Sequence, residues 1–437
     1  MPAPLPRRQA LKLAAGAVAL GSATALGRFA ATGSDGVGGV AAVGLRSASQ
    51  GAVTGPLRVG AWAAAPVEGR TGLPGHGFAR ATLRMVVRAS VGGVRPRIRL
   101  SNRYGRAPLL VGSATLGVQL QDAATVPGSL ARVLFGGRPQ AVVPPGGELL
   151  SDPVALRRPV AARDALLVSL HLPGPTGPAA WHPRSQDATY LAAGDRTTDG
   201  RGRHFAHRVN GWYYLTGVDV LSSTATGTVV CFGDSITDGA APVVGRVGGR
   251  WPDVLAARIA ETRPDRPLGV VDLGIAGNKV LTDERNDAGP SGLGRFRADA
   301  LTQPGLTDVF LLEGINDIGS RRGAGGAPLT AAELVAAYRT LIGQARAAGA
   351  AVHGCTLMPF QGAAYYSDFG DAVRQEVNRW IRTGGAFDSV VDLERTVRDP
   401  QYPGRYNAAY DLGDHLHPND AGYTAMGAAV DLSALRG

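Results

Sequence analysis

A serine stands at position 235 in the run Phe232-Gly233-Asp234-Ser235-Ile236-Thr237. Just past an apolar strand and ahead of a helix, a serine hydroxyl is placed as a nucleophile, and the next amide faces the same space. Gly274-Ile275-Ala276-Gly277-Asn278 supplies, at Gly277, a backbone N–H that can approach a ligand closely. Glu313-Gly314-Ile315-Asn316-Asp317 supplies an uncharged side-chain amide, Asn316, able to donate to an oxyanion. In the last segment Asp414 precedes His417 by three residues. One turn can then bring carboxylate to imidazole, fix the tautomer and leave the other ring nitrogen for a serine. Each segment alone has a plainer reading. Gly-Asp-Ser is also a common strand-end turn with serine as a cap. Gly277 fits a simple turn, Asn316 an unusual backbone conformation, and His417 a surface position beside a helix cap. His415 and His417 could begin a metal site, but no Cys, third His or suitably spaced Glu supports one, so no metal is expected.

The elements that must carry these segments follow from periodicity. Apolar runs at 228–232, 269–273, 308–312, 351–357 and 389–393 read as strands. Helical stretches lie between them. One at 251–262 has Pro252 in its first turn. The clearest, 330–348, opens with Thr330 and Glu333 in capping-box spacing and aligns Leu334, Tyr338, Leu341, Ile342 and Ala345 before Gly349. Others are expected at 371–382 and at 420–430, the latter capped by Asn419. Alternating strands and helices predict a parallel sheet covered on both faces, with ligands beyond the carboxyl ends of the strands. All four segments fall there. Residues 56–222 differ. Short apolar or alternating runs at 83–91, 98–100, 166–172 and 212–221, punctuated by Gly, Pro and Asp, predict a β-sandwich or jelly roll. The pattern changes at 224–227, and no internal repeat is present.

Taken in order, Gly-Asp-Ser at Ser235, Gly277, Gly-x-Asn-Asp at Asn316, and Asp-x-x-His at Asp414 and His417 resemble the SGNH or GDSL hydrolase family of serine esterases and lipases. The resemblance covers about 226–434. It implies a flavodoxin-like three-layer α/β/α domain over 226–437, preceded by the β-rich domain at 56–222. The latter looks like the accessory domain of secreted two-domain actinobacterial members, a less specific match. The resemblance also implies roles. His417 takes the proton of Ser235, which attacks an ester carbonyl, and Asp414 orients His417. The oxyanion is held by the N–H groups of Ser235 and Gly277 and the amide of Asn316, with no cofactor. Activity should rise as His417 sheds its proton. Two rival arrangements fail. A chymotrypsin-like enzyme would carry His and Asp ahead of the serine. An α/β-hydrolase would carry Gly-x-Ser-x-Gly, and Thr237 occupies the last glycine's place. In the family's usual strand order a third strand separates Cys231 from Cys355. Two strand spacings put them ~10 Å apart, too far for a disulfide.

Composition bounds the rest. The chain has 437 residues, 44% of them hydrophobic, which excludes a wholly disordered protein, and its two cysteines exclude a disulfide scaffold. Net charge is +10, and only Lys12 and Lys279 are lysines. Residues 1–225 hold 25 basic and 10 acidic side chains, whereas 226–437 hold 20 and 25. The basic part could favour an anionic surface or polysaccharide, although generic solubility charge is the plainer reading. No nucleic-acid motif occurs. Arg7-Arg8-Gln9-Ala10-Leu11-Lys12 ahead of the apolar run 13–26 resembles a twin-arginine signal, expected over 1–31 and followed by a Gly/Ala/Ser-rich linker at 32–55. The protein is therefore expected to be exported. The ester substrate is expected to be short-chain, carbohydrate acetyl esters included. Aryl esters and longer-chain lipids stay open, as does a non-catalytic polysaccharide-binding protein built on a hydrolase scaffold. Trp62, Trp181 and His182 could line a sugar site, with burial in the β-rich core the stronger expectation.

Overall fold

The five apolar runs of the second half line up as one sheet. The computed structural model describes residues 55–239, 249–284, 286–323 and 327–437. In it the runs are β1 (Gly227–Gly233), β2 (Leu268–Gly274), β3 (Leu306–Leu312), β4 (Ala351–Cys355) and β5 (Ser389–Val391). All neighbours pair in parallel, in the order β2-β1-β3-β4-β5. β1 is buried along its whole length, as a strand with covered neighbours on both sides and both faces must be. The chain turns one way from β1 to β2 and the other way to β3. The crevice at the carboxyl end of β1 is therefore the place where such a sheet opens to a ligand.

Eight helices surround this sheet in the described residues: α1 (Ser235–Asp238), α2 (Trp251–Thr262), α3 (Gly292–Asp299), α4 (Ile315–Ser320), α5 (Ala331–Ala347), α6 (Asp368–Thr383), α7 (Leu393–Val397) and α8 (Asp420–Ala428). α2 packs on α8, while α5 packs on α3 and α6. Trp251, Leu255 and Ile259 of α2 and Leu334, Leu341 and Ile342 of α5 share one core with Val229, Val230, Phe232 and Leu311 of the strands. The arrangement is the three-layer α/β/α expected. The capping box of α5 is present, with Glu333 N–H on the Thr330 hydroxyl at 3.3 Å and Thr330 N–H on the Glu333 carboxylate at 2.9 Å.

Some boundaries differ for local reasons. α6 begins before 371 because the Ser367 hydroxyl caps it, accepting from Gly370 N–H at 3.1 Å. β5 stops at Val391 because Asp392 caps α7. β4 stops at Cys355 and α8 at Ala428. α3 has no counterpart among the helices expected from periodicity: Ser291 caps it, its hydroxyl accepting from Gly294 N–H. Cys231 and Cys355 are buried free thiols on β1 and β4, with β3 between them.

Residues 57–222 are antiparallel throughout. A four-stranded sheet runs Leu57–Ala63, Leu215–Ser222, Val94–Ser101, Glu148–Leu150. In a seven-stranded sheet Ala165–Leu172 lies between Ala81–Arg88 and Ser113–Gln121. Val59, Ile98, Val218 and Val220 from the first meet Leu83, Met85, Leu166 and Val168 from the second in one hydrophobic cluster. Alternation explains this: every second residue of each strand faces the partner sheet. Both parts of the chain lie in one compact unit, Thr54–Gly437. The Ser90 hydroxyl accepts the N–H of Val270 on β2 at 2.9 Å and donates to the Ala61 carbonyl at 2.8 Å. The twin-arginine segment over 1–31 and the linker at 32–55, Gly55 apart, lie outside the described residues.

Candidate active site

Ser235 is the first residue of α1, directly after β1. Asp234 caps that short helix, its carboxylate accepting from Ile236 N–H at 2.9 Å. The chain can turn this sharply because Gly274, at the end of β2, has no side chain: a Cβ there would lie 2.3 Å from the Asp238 nitrogen. The Ser235 hydroxyl lies 2.8 Å from His417 Nε2. His417 Nδ1 lies 2.6 Å from Asp414 Oδ2. The other Asp414 oxygen accepts the backbone N–H groups of Leu416 and His417, at 3.1 and 2.9 Å. Burial pushes the Asp414 carboxyl up, but hydrogen bonds from the His417 ring and backbone pull it further down, so it is held below the ordinary aspartate value. An ionised Asp414 then fixes a proton on His417 Nδ1 and leaves Nε2 to accept from serine. His415 does not join this group; its ring pairs with Asp411 at 2.6 Å. Among the described residues no cluster of three or more His, Cys, Asp or Glu side chains could hold a metal ion.

Three N–H groups stand at the strand ends around this chain. The Ser235 N–H heads α1, where a helix provides no internal acceptor. The Gly277 N–H has no acceptor among the described residues, and Gly277 sits at φ +76°, a conformation that strains any residue with a Cβ. Asn316, in α4, donates one side-chain N–H to the Asn278 carbonyl at 2.9 Å and keeps a second. That bond ties the loop after β3 to the loop after β2. Asp317 reinforces it, accepting from Val280 and Leu281 N–H at 2.8 and 3.0 Å. The sequence-predicted residues are thus on one edge of the sheet, with Ser235, His417 and Asp414 joined by hydrogen bonds.

Sequence reasoning missed the group beneath them. Arg295 of α3 is 2% exposed and joins three strand ends. Its guanidinium donates to the carbonyls of Gly233 and Leu273, each at 2.8 Å, and to the Asn278 side chain at 2.7 Å. It lies 3.4 Å from Asp299 and 3.7 Å from Glu313, with its carbon 3.9 Å above the Phe232 ring. Glu313 is fully enclosed, and neither carboxylate oxygen has a hydrogen-bond partner. Burial outweighs the charge of Arg295 and pushes Glu313 up to about 8. The folded protein thus keeps this proton to higher pH than the unfolded chain does. Stability should fall as pH rises from the ordinary glutamate value to about 8 and then level off. Asp234 and Asp317, pushed up by burial to about 7 and about 6, act in the same direction. Glu313→Gln should flatten the slope, gaining on the order of a few kcal/mol over wild type above pH 8. Chemical denaturation of both proteins at pH 5 and pH 9 checks this.

Trp62 and His182 are buried, and Trp181 is half-buried and stacked on Tyr213 at 5.7 Å. They are core residues, as the stronger expectation had it. His182, however, reaches Asp238 in α1 at 2.9 Å, a contact that sequence could not reveal because 56 residues separate the two.

Residues 231–425 match the GDSL-like lipase/acylhydrolase family. The matched segment lies in the parallel-sheet part of the chain, and the lipase and acylhydrolase activity of that family is consistent with carboxylic ester hydrolysis. Similar solved structures include a carbohydrate acetylesterase from Sinorhizobium meliloti, 17% identical over 46% of this chain and 95% of that one, TM-score 0.37. An aryl esterase from M. smegmatis is 18% identical over 46% and 95%, TM-score 0.37. An acetyl xylan esterase from Geobacillus stearothermophilus is 22% identical over 47% and 93%, TM-score 0.36. No curated protein matches the chain.

Proposed function

We propose that the protein is an exported serine esterase that works through an acyl-enzyme. The observation that carries this reading is the unbroken chain from the Ser235 hydroxyl to His417 to Asp414, at 2.8 and 2.6 Å. His417 accepts the serine proton as the hydroxyl oxygen attacks the ester carbonyl. The tetrahedral oxyanion lies against the N–H groups of Ser235 and Gly277 and the free N–H of Asn316. His417 then gives its proton to the leaving alcohol. Water, deprotonated by the same nitrogen, releases the acid and restores Ser235. Asn316→Ala should lower kcat by ~10²–10³-fold with little change in KM, because the donor acts on charge that exists only in the transition state. Steady-state kinetics on one ester checks it.

The substrates expected are short-chain esters, carbohydrate acetyl esters among them. Rates on p-nitrophenyl esters from acetate to palmitate, with Ser235→Ala as control, test the reading. A Ser235-dependent maximum at acetate supports it. A maximum at palmitate would replace it with a lipase or phospholipase. The absence of any Ser235-dependent rate would favour a polysaccharide-binding protein on a hydrolase scaffold. Export is supported by Arg7-Arg8 and the apolar run behind them. The two facing sheets of 57–222 support the reading of that part as a sandwich-type accessory domain.

A further inference from the structure

One ionisable side chain of the β-rich part reaches the helix that begins with Ser235. His182 ends the strand Ala180–His182 and is 4% exposed. Its Nδ1 lies 2.8 Å from the Ala65 carbonyl and its Nε2 2.9 Å from Asp238 Oδ1. Asp238 ends α1, three residues after Ser235, and is 1% exposed. Its second oxygen accepts the N–H of Ala276 at 3.2 Å, next to Gly277. The Trp212 ring lies 5.5 Å from the His182 ring. The charged groups around Asp238 include Asp234, which caps the same helix, and Arg250 and Asp272, which pair with each other at 3.4 Å.

A count of protons defines the state of this contact. A carbonyl only accepts, and an ionised carboxylate only accepts. A neutral imidazole carries one N–H and would satisfy just one of the two. The observed pair of bonds therefore needs one proton more than a neutral imidazole and a carboxylate together hold, on the ring or on Asp238. Without it, two acceptors face each other in a buried site, which is costly.

We propose that His182 is a positioning residue for acyl transfer: through Asp238 it holds the Ala276–Gly277 turn against the nucleophile helix. The inference rests on the reading of Ser235 as nucleophile and Gly277 as an oxyanion donor. It makes residues 57–222 part of the catalytic apparatus without touching the substrate. Displacing a donor by a fraction of an ångström acts on the transition state far more than on the bound ester, so the effect belongs in kcat.

The test uses the full chain and p-nitrophenyl acetate at one fixed pH. His182→Ala should lower kcat by ~10–100-fold and leave KM within about twofold. His182→Gln can donate to Asp238 but not to Ala65, so it should recover part of kcat. Asp238→Asn can donate to a neutral ring and still accept from Ala276. It should therefore keep the bond pattern and a kcat near that of the wild type. A folded His182→Ala with wild-type kcat overturns the proposal. If that variant does not fold, Asp238→Asn decides: a kcat lowered ~10-fold or more in that protein, whose bond pattern is kept, overturns it as well. An active Ser235→Ala would instead overturn the reading of the nucleophile, so the two failures are distinguishable.

Discussion

Ser235→Ala should lower kcat by on the order of 10⁴- to 10⁶-fold on any ester the wild type cleaves. The methyl group removes the only atom that can form the acyl bond, while His417 and Asp414 keep their own 2.6 Å contact. Ser235 is 7% exposed and makes one side-chain hydrogen bond, to His417. Its loss leaves His417 Nε2 able to bind water, and the melting temperature should stay close to wild type. Burst kinetics separate this result from general damage. A wild-type burst of p-nitrophenol, absent in a variant with an unaltered melt, places the nucleophile at 235. A variant that keeps more than a few per cent of the wild-type rate would remove Ser235 from the mechanism.

Arg295→Met should cost stability as well as rate. The side chain is replaced by one of similar length with no charge. Two strand-end carbonyls, the Asn278 side chain, Asp299 and Glu313 lose a buried cation at once. Removing one partner from a buried charge network costs ~3–5 kcal/mol. At ~2–4 °C per kcal/mol for a chain segment of this size, the melt should fall by roughly 10 °C or more. Arg295→Lys should rescue little. An ammonium is a point charge and cannot donate in the several directions that the planar guanidinium serves here. The double change Arg295→Met with Glu313→Gln should melt close to Arg295→Met alone near neutral pH, because Glu313, pushed up to about 8, is already protonated there. Calorimetry of the three variants checks the order. An Arg295→Met protein that melts with the wild type would show that the strand ends hold themselves in place.

The proposed catalytic residues were legible because their chemistry is local. Asp414 and His417 are three residues apart, and Ser235 follows an apolar strand directly. The strands were legible for a related reason: a central parallel strand is apolar throughout, as β1 is. Arg295 was not legible. An arginine among Gly292, Gly294 and Asp299 looks like a solvated turn, and only the folded chain shows carbonyls from two strand ends pointing at it. α3 was missed with it, because two glycines lower helix propensity and tertiary contacts override that preference. His182 failed in another way. Its alternation in a short strand predicts burial, correctly, but burial does not say which distant carboxylate shares the site. The β-rich strand ends also shifted: the run at 212–221 is two strands, Trp212–Tyr213 and Leu215–Ser222, broken at Tyr214, which adopts φ +60°.

The hydroxyl of Ser90 on the outer rim of β2 has a meaning beyond one bond. β2 is the first strand in the order of the parallel sheet, so its far side has no strand partner within that sheet. A bare rim of this kind offers N–H and C=O groups to any other chain and invites fibre-like self-association. Here Ser90 meets Val270, and a side chain at Gly269 would strike the Gly60 carbonyl, so the segment Leu57–Ala63 lies tight along the rim. The β-rich part thus acts as a lid on a sticky margin. A hydrolase trimmed to its parallel sheet would keep Ser235, Asp414 and His417 and gain a surface prone to clumping.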